Sequence, residues 1–149
     1  MATVADILKS KADQQVYAVA PTATVYEALR LMAEKGIGAL LIQKGEDIQG
    51  IFTERDYARK IVLMGRSSGD TPVQEVMTTA VLFVQPSEST QACMQLMTGK
   101  RLRHLPVMEA GKLVGLISIG DLVKGIISEQ QFTIAQLEHY IHGGVHAAS

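Results

Sequence analysis

The chain repeats itself. Gly50-Ile-Phe-Thr-Glu-Arg-Asp56 and Gly115-Leu-Ile-Ser-Ile-Gly-Asp121 both read Gly-apolar-apolar-Ser/Thr-x-x-Asp, 65 positions apart (115 − 50). The same offset pairs Pro21 with Pro86, Leu31-Met32 with Leu96-Met97, Lys35 with Lys100, Leu40 with Leu105 and Ile61 with Ile126. No gap is needed from Val16/Val81 to Val62/Ile127, and ten of those 47 pairs are identical. An internal duplication limits the fold to two copies of one supersecondary unit. Neither copy exceeds about 60 residues, a length at which burial is marginal for independent stability. The expectation is one cooperative body: two halves packed on each other about a pseudo-two-fold axis, with two related clefts.

Composition narrows the class. A 149-residue chain with 47% hydrophobic residues can build a core of ordinary domain size. A formal net charge of −1 gives no global basic field, so nucleic acid is not an expected partner. The single cysteine, Cys93, excludes an internal disulfide and suits a reducing compartment. The N-terminus lacks a basic region, and Asp6 interrupts its apolar stretch, unlike a signal peptide. The apolar runs at Ile37–Ile42 and Val81–Val84 are too short to cross a bilayer. A soluble cytoplasmic protein with no membrane partner is expected.

Local patterning fills in the unit. Val4, Ile7 and Leu8 mark a short leading helix. Gln15–Ala20 reads as a strand ending at Pro21. Thr24 caps a helix to Lys35, with Val25, Ala28, Leu29 and Met32 as its apolar face and Gly36 as its stop. Gly38–Gln43 and Ile48–Phe52 form a hairpin around Gly45-Glu-Asp47, and Thr53 opens a helix to about Leu63. The polar stretch Gly65–Pro72 is a linker, followed by a short helix at Pro72–Met77. The second copy predicts strand Val81–Gln85, helix Ser89–Thr98, strands His104–Met108 and Leu113–Ser118, and helix Ile119–Ser128. A final amphipathic helix covers Thr133–His142, and Gly143-Gly144 ends it. Each copy is β-α-β-β-α, an α/β (α+β) class. Boundaries are 13–64 for the first repeat, 65–77 for the linker and short helix, 78–128 for the second repeat and 129–149 for the C-terminal helix and tail.

The duplicated motif has a purely structural reading. Thr53-x-x-Asp56 and Ser118-x-x-Asp121 each fit a capping box, whose acid only satisfies orphan N–H groups. Its recurrence in register, each time after a hairpin, supports more. A helix N-terminus bearing a hydroxyl attracts anions, and a carboxylate one turn in can accept bonds from two vicinal hydroxyls. Phosphate and ribose together are what a nucleotide offers. One side chain can cap the helix and also face a ligand.

The two β-α-β-β-α units, the motif in both copies and Arg103-His104-Leu105-Pro106-Val107 before the second hairpin resemble a pair of CBS domains, a Bateman module. The resemblance spans about Asp13 to Ser128. It implies sheet-to-sheet packing of the repeats, binding of AMP, ADP, ATP, NAD or S-adenosylmethionine in the inter-repeat clefts, dimerisation, and a sensor role without catalysis. AMP is the leading expectation. Carried over by position, Asp56 and Asp121 hold ribose hydroxyls, with Thr53 and Ser118 near phosphate or ribose. The apolar segments Val19–Thr22 and Val84–Ser87, with Ile37–Leu40 (Ile37, Gly38 and Ala39 among them) and Leu102–Leu105, wall the adenine, and Val19, Thr22, Val84 and Pro106 count among the nucleotide-binding residues. Leu41 stands where the second repeat has Pro106, a departure from the family pattern.

The copies differ in charge. Arg101, Arg103 and His104 stand where the first repeat has Gly36, Gly38 and Ala39, whereas Arg55 stands opposite Gly120. Arginine gives bidentate phosphate contacts, so one cleft is expected to be the better site, with these cations at its phosphates. His139, His142 and His146 have helical spacing, but a helix ended by Gly143-Gly144 would not bring them to one metal. Cys93 aligns with Ala28 on a buried helix face and reads as core. No phosphate loop, nucleophile elbow or Cys/His cluster is present. The expected function is a stand-alone regulatory module, a homodimer acting on an effector protein in trans. The alternatives are an adaptor that assembles proteins with empty clefts, and a nucleotide-processing enzyme.

Overall fold

The computed structural model describes the backbone of residues 2–148 and the side chains of residues 2–141. The elements are α1 (Val4–Ser10), β1 (Ala18–Val19), α2 (Val25–Lys35), β2 (Ala39–Lys44), β3 (Asp47–Thr53), α3 (Glu54–Asp56), α4 (Thr90–Lys100), β4 (His104–Glu109), β5 (Lys112–Ser118) and α5 (Ile119–Ala148). They fall into two compact units. One comprises Met1–Gln14, Val84–Glu109 and Gly115–Ser149, and the other Gln15–Phe83 with Ala110–Val114.

The unit of the first repeat is built on a three-stranded sheet, β1-β2-β3, with β1 parallel and β3 antiparallel to β2. A register shift at Ile42/Gln43 marks a bulge in the hairpin. Four consecutive residues of β2, Ala39 to Ile42, are buried, the pattern of a central strand covered on both faces. Leu40 and Ile42 enter a core with Val25, Ala28 and Met32 of α2, Phe52 of β3, and Ile61, Val73 and Val76. A reciprocal Thr24/Glu27 capping box starts α2, and Gly36 closes it at φ 65°.

The unit of the second repeat carries β4, the Gly115–Ser118 half of β5, α4, α5 and the N-terminal α1. Its core joins Val4, Ile7, Val84, Cys93, Met97, Leu105, Val107, Ile117 and Leu122. Ser89 caps α4, and Arg101 takes the left-handed position at φ 55° that Gly36 fills in the first repeat.

A second duplication, invisible at the 65-residue offset, organises both units. Thr3-Val4-Ala-Asp6-Ile7-Leu8 and Pro72-Val73-Gln-Glu75-Val76-Met77 correspond at an offset of 69 (73 − 4). Val4 N–H donates to Glu88 O and Ala5 N–H to Pro86 O, both at 2.9 Å. Val73 N–H donates to Ala23 O at 2.7 Å and Gln74 N–H to Pro21 O at 3.2 Å. Each strap therefore lies along one repeat in the same way, and the N-terminal strap serves the second. The conserved geometry explains the shared motif glycine. A Cβ on Gly50 would meet Thr78 O at 2.7 Å and Met77 Sδ at 2.8 Å, and one on Gly115 would meet Leu8 Cδ2 at 2.5 Å.

Several sequence expectations are corrected. The first strand of each repeat is minimal: β1 has two residues, and Val81–Gln85 gives a single bridge between Val84 and Val107 instead of a strand. Pro72–Met77 forms a short 3₁₀ turn at Val73–Glu75, because its N–H groups reach carbonyls of the first repeat. Beyond α3 the chain winds as a π-helix over Tyr57–Val62. The two C-terminal helices are one: α5 runs through Glu129-Gln-Gln-Phe132, which contains no breaker, and past Gly143-Gly144. Helix glycines cost about 1 kcal/mol each relative to alanine, which weakens a helix without obliging it to stop.

Candidate functional site

Each motif sits at a strand-to-helix junction. At the first, Thr53 ends β3 and caps α3, accepting from Asp56 N–H at 3.2 Å while Asp56 Oδ2 accepts from Thr53 N–H at 3.0 Å. At the second, Ser118 ends β5, accepts from Asp121 N–H at 3.1 Å, and donates its N–H to Asp121 Oδ2 at 2.8 Å. The backbone closes both junctions identically. Glu54 N–H donates to Gly38 O at 3.1 Å, and Ile119 N–H donates to Arg103 O at 2.8 Å. These bonds bring Gly38, or Arg103, beside the opening turn of the helix.

The acids then diverge. Asp56 is saturated: Oδ2 also accepts from the Thr53 hydroxyl at 3.1 Å, and Oδ1 accepts from Thr78 Oγ1 and Lys60 Nζ, each at 3.0 Å. Its side chain is 8% exposed. Asp121 is 21% exposed, and its charge partner is Lys11, whose Nζ lies 3.1 Å from the same Oδ2 that Ser118 holds. Oδ1 stands outside these contacts. Burial opposes ionisation of Asp121, but the Ser118 N–H, the Lys11 ammonium and the Ser118 hydroxyl outweigh it, and the pKa lies below its ordinary 3.8.

His104, half-buried at the head of β4, has its pKa pushed below 6.5, mainly by burial. The Asp121 charge opposes that shift, and Lys11 and Arg103 reinforce it. His104, Asp121, Lys11 and Arg103 thus share one electrostatic environment, with histidine neutral at pH 7. Arg101 and Arg103 are both exposed, as is Arg55 at the first junction.

The remaining expected wall residues split. Val19 and Ile37 are half-buried and pack on the first unit's core, Ala39 is buried, Gly38 is half-buried and Thr22 is exposed. Val84 belongs to the second unit's core, and buried Pro106 accepts the Val84 N–H at 3.0 Å. Cys93 lies in the core, where burial pushes its thiol pKa up. His139 is exposed, and the side chains of His142 and His146 lie outside the described residues. Among the described residues no three His, Cys, Asp or Glu side chains are grouped to hold a metal ion. No described helix is long and apolar enough to cross a membrane.

Sequence reasoning missed the partners of the acids. Lys60 was legible, four residues after Asp56 on a helix. Lys11 and Thr78 belong to or follow the straps, whose correspondence appears only at the second offset.

Two junctions of this construction, each behind a hairpin in its own repeat, define a tandem module. The CBS domain family profile matches residues 3–63 and 73–128, and the chain belongs to that family as a tandem CBS pair of α+β class. Such pairs are generally regulatory. The chain is 40% identical to a mitochondrial CBS domain-containing protein, CBSX3 of Arabidopsis thaliana, over 95% of this chain and 73% of that one. A protein with CBS domains from Burkholderia ambifaria MC40-6, of solved structure, shares 61% identity over 89% of this chain and 99% of its own, with a TM-score of 0.84. The CBS domain pair of protein MJ0100, solved with 5′-methylthioadenosine and S-adenosyl-L-methionine, shares the fold at 20% identity and a TM-score of 0.74, over 86% of this chain and 98% of that one.

Proposed function

We propose that this CBS pair is a regulatory module that binds an adenosine nucleotide at the second-repeat junction. The observation that carries the reading is the contrast between the acids. Asp56 is committed to four donors, whereas among the described residues Asp121 keeps Oδ1 outside its hydrogen bonds and ion pair, with Arg103 and His104 alongside. A carboxylate oxygen so placed can accept from a ribose hydroxyl, and an exposed arginine can meet a phosphate. The adenosine compounds held by MJ0100 support the ligand class. AMP is the ligand of choice, with ADP, ATP, NAD and S-adenosylmethionine as the comparison set. Binding would bias one of two conformations and be read by a partner in trans. Cys93, a lone buried thiol, fits a reducing compartment such as the cytoplasm.

The test is calorimetric titration of nucleotide-stripped protein with the five ligands, on wild type, Asp121→Asn and Asp56→Asn. Saturable heat that Asp121→Asn loses and Asp56→Asn retains is the expected pattern. Folded wild type giving no heat with any of the five sinks the reading.

A second reading, assembly, is favoured by α5. Val123, Ile127, Ile134, Leu137 and Ile141 are exposed at near-heptad spacing on it. A homodimer is proposed from that stripe. Sedimentation of an Ile134→Glu, Leu137→Glu double variant checks it: a wild type already monomeric would remove the basis for it.

A further inference from the structure

We infer that Lys11 is a specificity-determining residue of the second-repeat junction, setting its preference for phosphate-bearing over uncharged adenosine ligands. This deepens the nucleotide reading above and rests on it. Lys11 lies in the segment after α1, 105 residues before the carbonyl it binds. Its ammonium donates to Leu116 O at 2.7 Å and pairs with Asp121 Oδ2 at 3.1 Å. A lysine ammonium has three donors. Two are committed, which holds the group in place, and among the described residues one remains. The side chain is 25% exposed, so that third donor is reachable from solvent.

Charge gives the consequence. Without Lys11 the junction carries Asp121 and Arg103, which cancel, beside a His104 that burial keeps neutral. With Lys11 the sum becomes −1 + 1 + 1 = +1. The lysine also leaves Asp121 able to accept a ribose hydroxyl while cancelling its repulsion of a phosphate. The first junction has a lysine of the same geometry but different origin, since Lys60 Nζ pairs with Asp56 Oδ1 and donates to Val76 O, each at 3.0 Å. At the strap offset of 69, Lys11 corresponds to Ala80, and the cation on Asp56 is Lys60, from the same helical segment as the acid. Lys11 thus gives only the second site a cation from outside the repeat, and removing its charge should act on the ligand's phosphate.

The experiment is titration of wild type, Lys11→Met and Lys11→Arg with AMP, adenosine and S-adenosylmethionine, after melting curves confirm folding. Methionine keeps the stem and deletes the charge. For Lys11→Met the AMP Kd should rise about tenfold or more, against about twofold or less for adenosine, a ratio expected for one partly screened charge. S-adenosylmethionine, with its sulfonium charge, should bind no more weakly than before. Lys11→Arg should keep the AMP preference, and it carries the test should Lys11→Met fail to fold. Equal losses for AMP and adenosine, or no loss of AMP binding, overturn the inference while leaving the nucleotide reading intact. A wild type that binds none of the three overturns the nucleotide reading, and the inference falls with it.

Discussion

Val4 and Val73 are structural counterparts: each is fully buried, and each donates its N–H to a carbonyl at the same position of a repeat, Glu88 and Ala23. Neither valine belongs to the 65-residue register. They open straps related by 69 residues, and each strap completes a core that its repeat does not fill alone.

Truncating either valine should therefore damage the fold to a similar degree. Val4→Ala and Val73→Ala are each expected to cost about 1–3 kcal/mol, from lost methyl burial and a residual cavity. Urea unfolding measures it. A neutral Val4→Ala would mean that the N-terminal strap is dispensable.

Gly50 should tolerate no side chain. An added Cβ meets a carbonyl oxygen, Thr78 O, that itself bonds Ile51 N–H at 2.9 Å. Gly50→Ala is expected to destabilise by about 1–3 kcal/mol, the range for overpacking. Gly115→Ala meets only the end of the Leu8 side chain, which can rotate, and should cost less. Paired thermal melts test the order.

Stability should fall with acid in two stages. His104 titrates below 6.5 when folded, so the unfolded chain takes up its proton first. Its contribution is present above pH 6.5 and declines as pH drops toward the lower folded value. Asp121, also depressed, contributes above pH 3.8 and loses that contribution as pH falls through its own folded value. Melting temperature followed from pH 8 to pH 3 should show both, and His104→Gln should remove the first stage alone.

Arg101 occupies a left-handed backbone position that costs a non-glycine residue roughly 1–2 kcal/mol. Arg101→Gly should raise stability by about 1 kcal/mol and, under the proposed nucleotide function, weaken AMP binding. Equilibrium unfolding and titration of one variant test both. Stability gained with affinity unchanged would remove Arg101 from the proposed ligand site.

The helices, the hairpins and the duplicated motif were legible in the sequence because they follow from local rules. Alternating or helical apolar spacing, a hydroxyl three residues before an acid and glycine at a helix end are all short-range signals. Val81–Gln85 has the composition of a strand, yet only Val84 bridges to a neighbour. Strand formation depends on a partner, and composition does not reveal whether one is in reach. The break expected before Thr133 misread four helix-compatible residues as a boundary, since nothing local distinguishes one long helix from two collinear ones.

The sequence by itself determined that the chain is two copies of one unit, with an acid one turn into a helix in each. Periodicity and motif spacing are properties of the chain alone. Only the tertiary structure decided that the two acids are unequal. Thr78 and Lys60 close around Asp56, while Lys11 arrives at Asp121 from 110 residues away (121 − 11) and, among the described residues, leaves one oxygen uncommitted. Thr78 and Lys11 follow the straps, whose pairing is a long-range contact, and long-range contacts are set by how a whole unit buries its apolar faces.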